Sequence, residues 1–255
     1  MVEVKLYYKP WWLFGRGRQV LGRFPERFEE LSERQLVALA GVRKGVISEE
    51  RFLAVMSGIR VRLIKRLDLF QQFKVAELLE TFREPKAFHD FQLKKIWCKD
   101  QVLLAPKTKL KGVTFGQFIF ADTYFSNYND TKDKEDLYRF VASVYLPAGM
   151  VFNEKLIDTG VELVRRMAPE TVEAVYLNYL HVREWLALAY PLIFIKPTQL
   201  PEGGIKEKKD SMGWIKIFEG LVGDDIVNED RYADLPMHNV FRYMTGRIKE
   251  NMKKK

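Results

Sequence analysis

The chain is poor in the residues that hold metals and disulfides. Its 255 residues include one cysteine, Cys98, and three histidines, His89, His181 and His238. A single thiol excludes an intrachain disulfide framework and an all-cysteine zinc site. Three scattered imidazoles leave little for a multi-histidine metal centre. Phosphate loops are missing too: Gly15-Arg16-Gly17 lacks the third glycine of a dinucleotide turn, and no Gly-Lys-Ser or Gly-Lys-Thr occurs. No serine sits in the Gly-x-Ser-x-Gly frame of a nucleophile elbow. The longest uncharged apolar run, Trp185 to Ile195, contains Pro191 and falls well short of the about 20 residues that cross a bilayer. The N-terminal residues lack the apolar segment of a secretory signal, so neither export by signal peptide nor membrane insertion is expected. Acidic residues are the minority charge, 34 against 42 basic ones, and the net +8 favours acidic partners without naming one.

What is present is the composition of a folded chain, 47% hydrophobic and 30% charged. The length allows one large domain or two small ones. Val2, Val4, Leu6 and Tyr8 alternate with Glu3, Lys5 and Tyr7, the period-2 pattern of a half-buried strand that Pro10 stops. From residue 28 onward helical signals dominate. Ser32, Ser48 and Thr114 stand where helix caps belong, each bracketed by an apolar staple pair: Leu31/Leu36, Ile47/Phe52 and Val113/Phe118. Gln35 and Gln117 sit at the third helical position after Ser32 and Thr114, where a capping box needs them. Periodicity then predicts a long central helix over residues 60–83 with two buried sides, and shorter helices over 87–98, 135–146 and 154–167. A second central helix runs from Pro169 to Tyr190, where Pro191 ends it. Residues 197–210, with two prolines, a glycine pair and alternating charge, read as a linker. The expected fold class is mainly α. It comprises an N-terminal strand and aromatic-basic arm over residues 1–27, a multi-helix domain over 28–196, the linker over 197–210, and a small C-terminal helical appendage over 211–255.

Few residues suggest chemistry. Cys98 reads as a buried structural thiol and His181, between Leu180 and Val182, as a satisfied and partly buried ring. Asp224, Asp225, Glu229, Asp230 and Asp234 lack the alternating ligands and central glycine of a calcium loop, and read as caps in a solvated turn. No catalytic, cofactor-binding or metal-ligating residue is assigned, and no cofactor is expected. Basic residues, in contrast, cluster over 5–27, over 60–66 and over 94–111. In the first cluster Trp11, Trp12 and Phe14 interleave with Arg16, Arg18 and Arg23, which are the candidate partner-binding residues. Aromatic and arginine anchors are what protein interfaces use, and the same mixture can grip nucleic acid by phosphate contact and stacking. The interface reading ranks first because no nucleic-acid-binding motif accompanies the charge.

Two stretches carry a resemblance. Thr114 to Asp122 (TFGQFIFAD), followed by Asp136 to Pro147 (DLYRFVASVYLP), resembles a helical pattern in bacteriophage and prophage proteins of Bacteroides-type bacteria. Ile226 to Asn251, with Leu235 to Phe241 (LPMHNVF), looks like the short helical endings of phage tail-assembly and other virion-associated proteins. Together they cover about a third of the chain. The resemblance implies a non-enzymatic structural or assembly protein of a bacteriophage. Its implied partners are other phage structural proteins, in a homo-oligomer or larger assembly, with nucleic acid as the alternative partner. Its implied place is the virion or the host cytoplasm, and no catalytic residues carry over.

Overall fold

The computed structural model describes residues 1–8, 18–99, 101–194 and 213–254. The segment read as a linker, 197–210, lies outside the described residues, as do Trp11, Trp12, Phe14 and Arg16. The chain is a mainly α, multi-helix protein with an N-terminal strand. It forms two compact units, one of Met1–Phe88 with Ala168–His181 and one of His89–Met167 with Val182–Lys255.

In the first unit, β1 (Val2–Tyr8) pairs antiparallel with β2 (Arg18–Phe24), Val4 opposite Gly22 and Leu6 opposite Val20. The alternation predicted for β1 holds, with Val4 and Leu6 buried and Glu3, Lys5 and Tyr7 exposed. Two helices follow, α1 (Glu33–Arg43) and α2 (Glu49–Ser57), started by Ser32 and Ser48 as expected. Ser32 makes the full box: its Oγ accepts from Gln35 N–H at 3.3 Å, and Gln35 Oε1 accepts from Ser32 N–H at 3.0 Å. The same glutamine donates its amide to the Met56 carbonyl at 3.0 Å, so the cap of α1 is tied to the end of α2. Ser32→Ala is therefore expected to cost about 1 kcal/mol, read as a lowered thermal midpoint. An unchanged midpoint would show the cap to be energetically silent. Gly58 ends α2 at φ 71°, a left-handed position that a side-chain-free residue takes without strain.

The long helix expected over 60–83 does not form. Instead α3 (Val61–Ile64) is a single turn, and α4 (Leu69–Leu79) starts anew at Asp68, whose carboxylate accepts from Gln71 N–H at 2.8 Å. A local cap thus outcompetes continued helical periodicity. Nor is α4 buried on two sides: Val75 and Leu79 are buried, but Leu69, Phe70 and Phe73 are 83%, 73% and 69% exposed. Leu67, between the two helices, is buried.

The helix expected over 87–98 is also absent. In the second unit residues of that stretch form β3 (Lys95–Cys98), which pairs antiparallel with β4 (Gln101–Leu104); β4 pairs in turn with the two-residue β5 (Leu146–Pro147). Buried Ile96 and Cys98 alternate with exposed Lys95 and Trp97, a period of two over too few residues to outweigh a helical reading. The helices α5 (Phe115–Thr131), α6 (Lys134–Val144) and α7 (Leu156–Val164) belong to the same unit, and α6 packs against both α5 and α7. Phe125 of α5 meets Phe140 of α6 at a ring separation of 5.5 Å. Gly160 lets α7 approach α6 closely, because a Cβ there would lie 2.9 Å from the Ala142 Cβ. Thr114 caps α5 as expected, accepting from Gln117 N–H at 3.2 Å. The reciprocal half of that box is not made; the Gln117 amide donates to the Ser143 carbonyl at 3.0 Å, tying α5 to α6.

The predicted helix from Pro169 is α8 (Pro169–Ala189). Its residues up to His181 belong to the first unit and those beyond to the second. Val172, Val175 and Tyr179 are buried along the first part, Val182 and Leu186 along the rest. The C-terminal helices α9 (Gly213–Val222), α10 (Glu229–Ala233) and α11 (Met237–Lys253) complete the second unit. Phe241 of α11 is fully buried, its ring 5 to 6 Å from Phe118, Tyr190, Phe194 and Trp214.

Candidate functional site

Within the first unit, α4 is held by its N-terminal end. Tyr8 at the end of β1 bridges Leu67, Tyr7 N–H donates to Gln71 Oε1 at 3.4 Å, and the Gln72 amide donates to the Leu67 carbonyl at 3.0 Å. These bonds fix α4 while leaving Leu69, Phe70 and Phe73 in water. Burying one such side chain is worth about 1.5 to 3 kcal/mol, so three together on one short helix are a large unspent apolar surface. Beside Leu69 and Phe73 lies a groove of about 520 Å³, floored by Leu39, Phe52, Leu53 and Leu79 from α1, α2 and α4. Three of its four rim charges are occupied within the chain, Glu49 being the exception. Arg43 donates to the backbone carbonyls of Phe82 and Arg83, and Arg83 pairs with Glu80 at 3.2 Å. Burial lowers the Arg43 pKa, an effect that nearby Glu173 opposes. What the groove offers a ligand is apolar contact.

A second concavity of the first unit has the opposite character. It encloses about 760 Å³, and Arg23, Arg34, Arg51 and Arg60 line it together with Ser32, Gln35 and Ser57. Arg23 comes from β2, Arg34 from α1, Arg51 from α2, and Arg60 from the turn before α3. Arg23 pairs with Glu3 at 2.8 Å. Among the described residues, no Asp or Glu carboxylate forms an ion pair with Arg34, Arg51 or Arg60.

Of the residues that the sequence singles out, Arg18 and Arg23 are described and both are exposed. Arg18 stands opposite Tyr8 at the end of the hairpin where residues 9–17 join its strands, and Arg23 belongs to the basic concavity. The apolar groove and the convergence of Arg34 and Arg51 with Arg23 escape a sequence reading. The one partial signal is the basic run 60–66, which contains Arg60.

The residues weighed for chemistry occupy structural positions. Cys98 is buried in β3, and burial pushes its thiol pKa up, away from the thiolate that nucleophiles need. His181 is 6% exposed, its ring stacked on Phe28 with a centroid separation of 3.5 Å and its Nδ1 at 2.8 Å from the Lys86 carbonyl oxygen. His238 bridges the Tyr190 hydroxyl at 2.7 Å and the Lys109 carbonyl at 2.6 Å. In the acidic turn Asp225 accepts from the Asn228 amide at 2.8 Å and the Tyr232 hydroxyl at 3.1 Å. Among the described residues, no three His, Cys, Asp or Glu side chains group to hold a metal ion, and no helix is long and apolar enough to cross a membrane. Comparison of the chain with protein-family models, with curated proteins and with solved structures finds no match.

Proposed function

We propose that the protein is a non-enzymatic structural or assembly protein of a bacteriophage that works through protein–protein contact, with the exposed face of α4 and its groove as the contact surface. One observation carries the reading: Leu69, Phe70 and Phe73 stand 69 to 83% exposed beside an apolar groove, on a helix whose position is otherwise fixed. The end of the hairpin lies beside this surface, since Tyr8, which pairs with Arg18, bridges Leu67, two residues before α4. The occupant that fits is an uncharged apolar helix face of another virion or assembly protein. Of the groove's four rim charges, Arg43, Glu80 and Arg83 are already paired or bonded. Three turns of α4, about 16 Å, match a short helical segment laid alongside. The host cytoplasm or the virion follows as its place of action.

The test is density-gradient fractionation of infected cells, followed by mass spectrometry of the fractions containing this chain. Co-sedimentation with particles or with assembly intermediates, beside a phage structural protein, is the expected result. Exclusive recovery as a free monomer or a self-associated oligomer, absent from particles and intermediates alike, would refute the assignment.

A further inference from the structure

The concavity lined by Arg23, Arg34, Arg51 and Arg60 is not used by the apolar contact surface, and its chemistry differs. Four guanidinium groups from four separate elements converge on one space of about 760 Å³, and among the described residues lining it there is no acidic side chain. Arg34, Arg51 and Arg60 have no acidic partner among the described residues, and concentrating such like charges destabilises the fold slightly. The polar groups of the floor have spent their hydrogen bonds internally. Ser57 Oγ donates to the Leu53 carbonyl at 2.6 Å and accepts from Ile59 N–H at 3.2 Å. The Gln35 amide donates to the Met56 carbonyl, and its oxygen accepts from Ser32 N–H. A small ligand read by directional bonds would find few partners there. A chain of anions would find several arginine forks at once, each suited to phosphate oxygens.

The positive charge also continues outside the concavity. Lys5 lies across the hairpin from Leu21, which is part of the lining, and Arg62 follows Val61, which is another part; both are exposed. An extended run of charge suits spaced phosphates better than one compact ion. We infer that this concavity binds the phosphate backbone of a nucleic acid, without reading its sequence. Arg34, Arg51 and Arg60 supply the phosphate contacts, and Arg23 assists while paired with Glu3. This inference does not rest on the contact surface of α4, since no residue of that surface takes part.

The experiment is fluorescence anisotropy of the full chain with a labelled oligodeoxynucleotide of about 20 residues, single-stranded and as a duplex, titrated at several salt concentrations. Three phosphate contacts predict a log–log salt slope of about −2 for the single strand and nearly −3 for the duplex. Arg34→Ala/Arg51→Ala/Arg60→Ala should flatten the slope by about two and lose roughly tenfold or more in affinity at low salt. The triple lysine variant should keep most of the salt slope and only part of the affinity, because it keeps the charge and loses the forks. All three side chains are exposed, so the alanine variant should melt like the parent. If it does not fold, Arg60→Glu alone should still weaken binding. Leu69→Glu/Phe73→Glu should bind the oligonucleotide as the parent does, which keeps this test separate from that of the assembly role. Absence of binding at low salt, or equal binding by the alanine variant, would overturn the inference. So would competition by polyglutamate as strong as that by unlabelled oligonucleotide. Displacement by millimolar pyrophosphate, beyond that by sulfate at equal ionic strength, would overturn it in favour of a small phosphate ligand.

Discussion

Replacing Asp122 by alanine should remove about 3 to 5 kcal/mol of stability, the largest loss expected from any single polar substitution in this chain. Asp122 is 1% exposed on α5. Both of its carboxylate oxygens accept from Arg183 Nη1, at 2.8 and 2.7 Å, and one also accepts from Trp214 Nε1 at 2.7 Å. One carboxylate thus ties α5 to α8 and α9, and the guanidinium it holds lies over the rings of Phe194 and Phe125 at 5.0 and 5.9 Å. Truncation leaves a partly buried guanidinium, stacked over two aromatic rings, and an indole N–H without their acceptor, which is why the cost exceeds the worth of an ordinary hydrogen bond. Asp122→Asn, which keeps an acceptor for one of the two donors, should lose less than the alanine variant. Urea unfolding should show a lowered midpoint at unchanged slope. A loss below about 1 kcal/mol would mean that the pair contributes geometry and little energy.

Leu69→Glu/Phe73→Glu is expected to behave in the reverse way, with a large effect on association and a small one on folding. Both side chains are mostly in water, so exchanging them for carboxylates should move stability by no more than about 0.5 kcal/mol. An acid at position 69, in the first turn of α4, is also well placed against the helix dipole, which works in the same direction. In a complex the same side chains would be central apolar anchors, each worth about 2 kcal/mol or more, and burying a carboxylate in their place adds a desolvation cost. The two together should weaken partner binding by roughly a thousandfold.

Much of the fold is legible because its devices are local. Ser32, Ser48 and Thr114 start helices where their spacing says they should, since a cap bonds to backbone only three residues on. Sequence reading fails where distant residues decide. The glutamine expected to complete the box at Thr114 does not do so, and its amide serves the Ser143 carbonyl, a partner that spacing cannot reveal. Residues 60–83 carry enough apolar residues for a continuous helix with two buried sides. Yet Asp68 with Gln71 is itself a helix-start pattern, and it breaks the run. Periodicity marks Leu69, Phe70 and Phe73 as apolar but cannot say whether this chain or another covers them. That ambiguity is what hides the proposed contact surface. The arginine concavity is less legible still: its residues come from β2, α1, α2 and the turn before α3, and only folding brings them together.

The central claim, that α4 presents a surface for another phage protein, is tested most directly by gradient sedimentation of the wild-type chain and the Leu69→Glu/Phe73→Glu variant from parallel infections. The account predicts that the wild-type chain travels with particles or assembly intermediates, and that the variant, folded and equally abundant, stays near the top of the gradient. Co-sedimentation of the variant to the same extent as the wild type would contradict it.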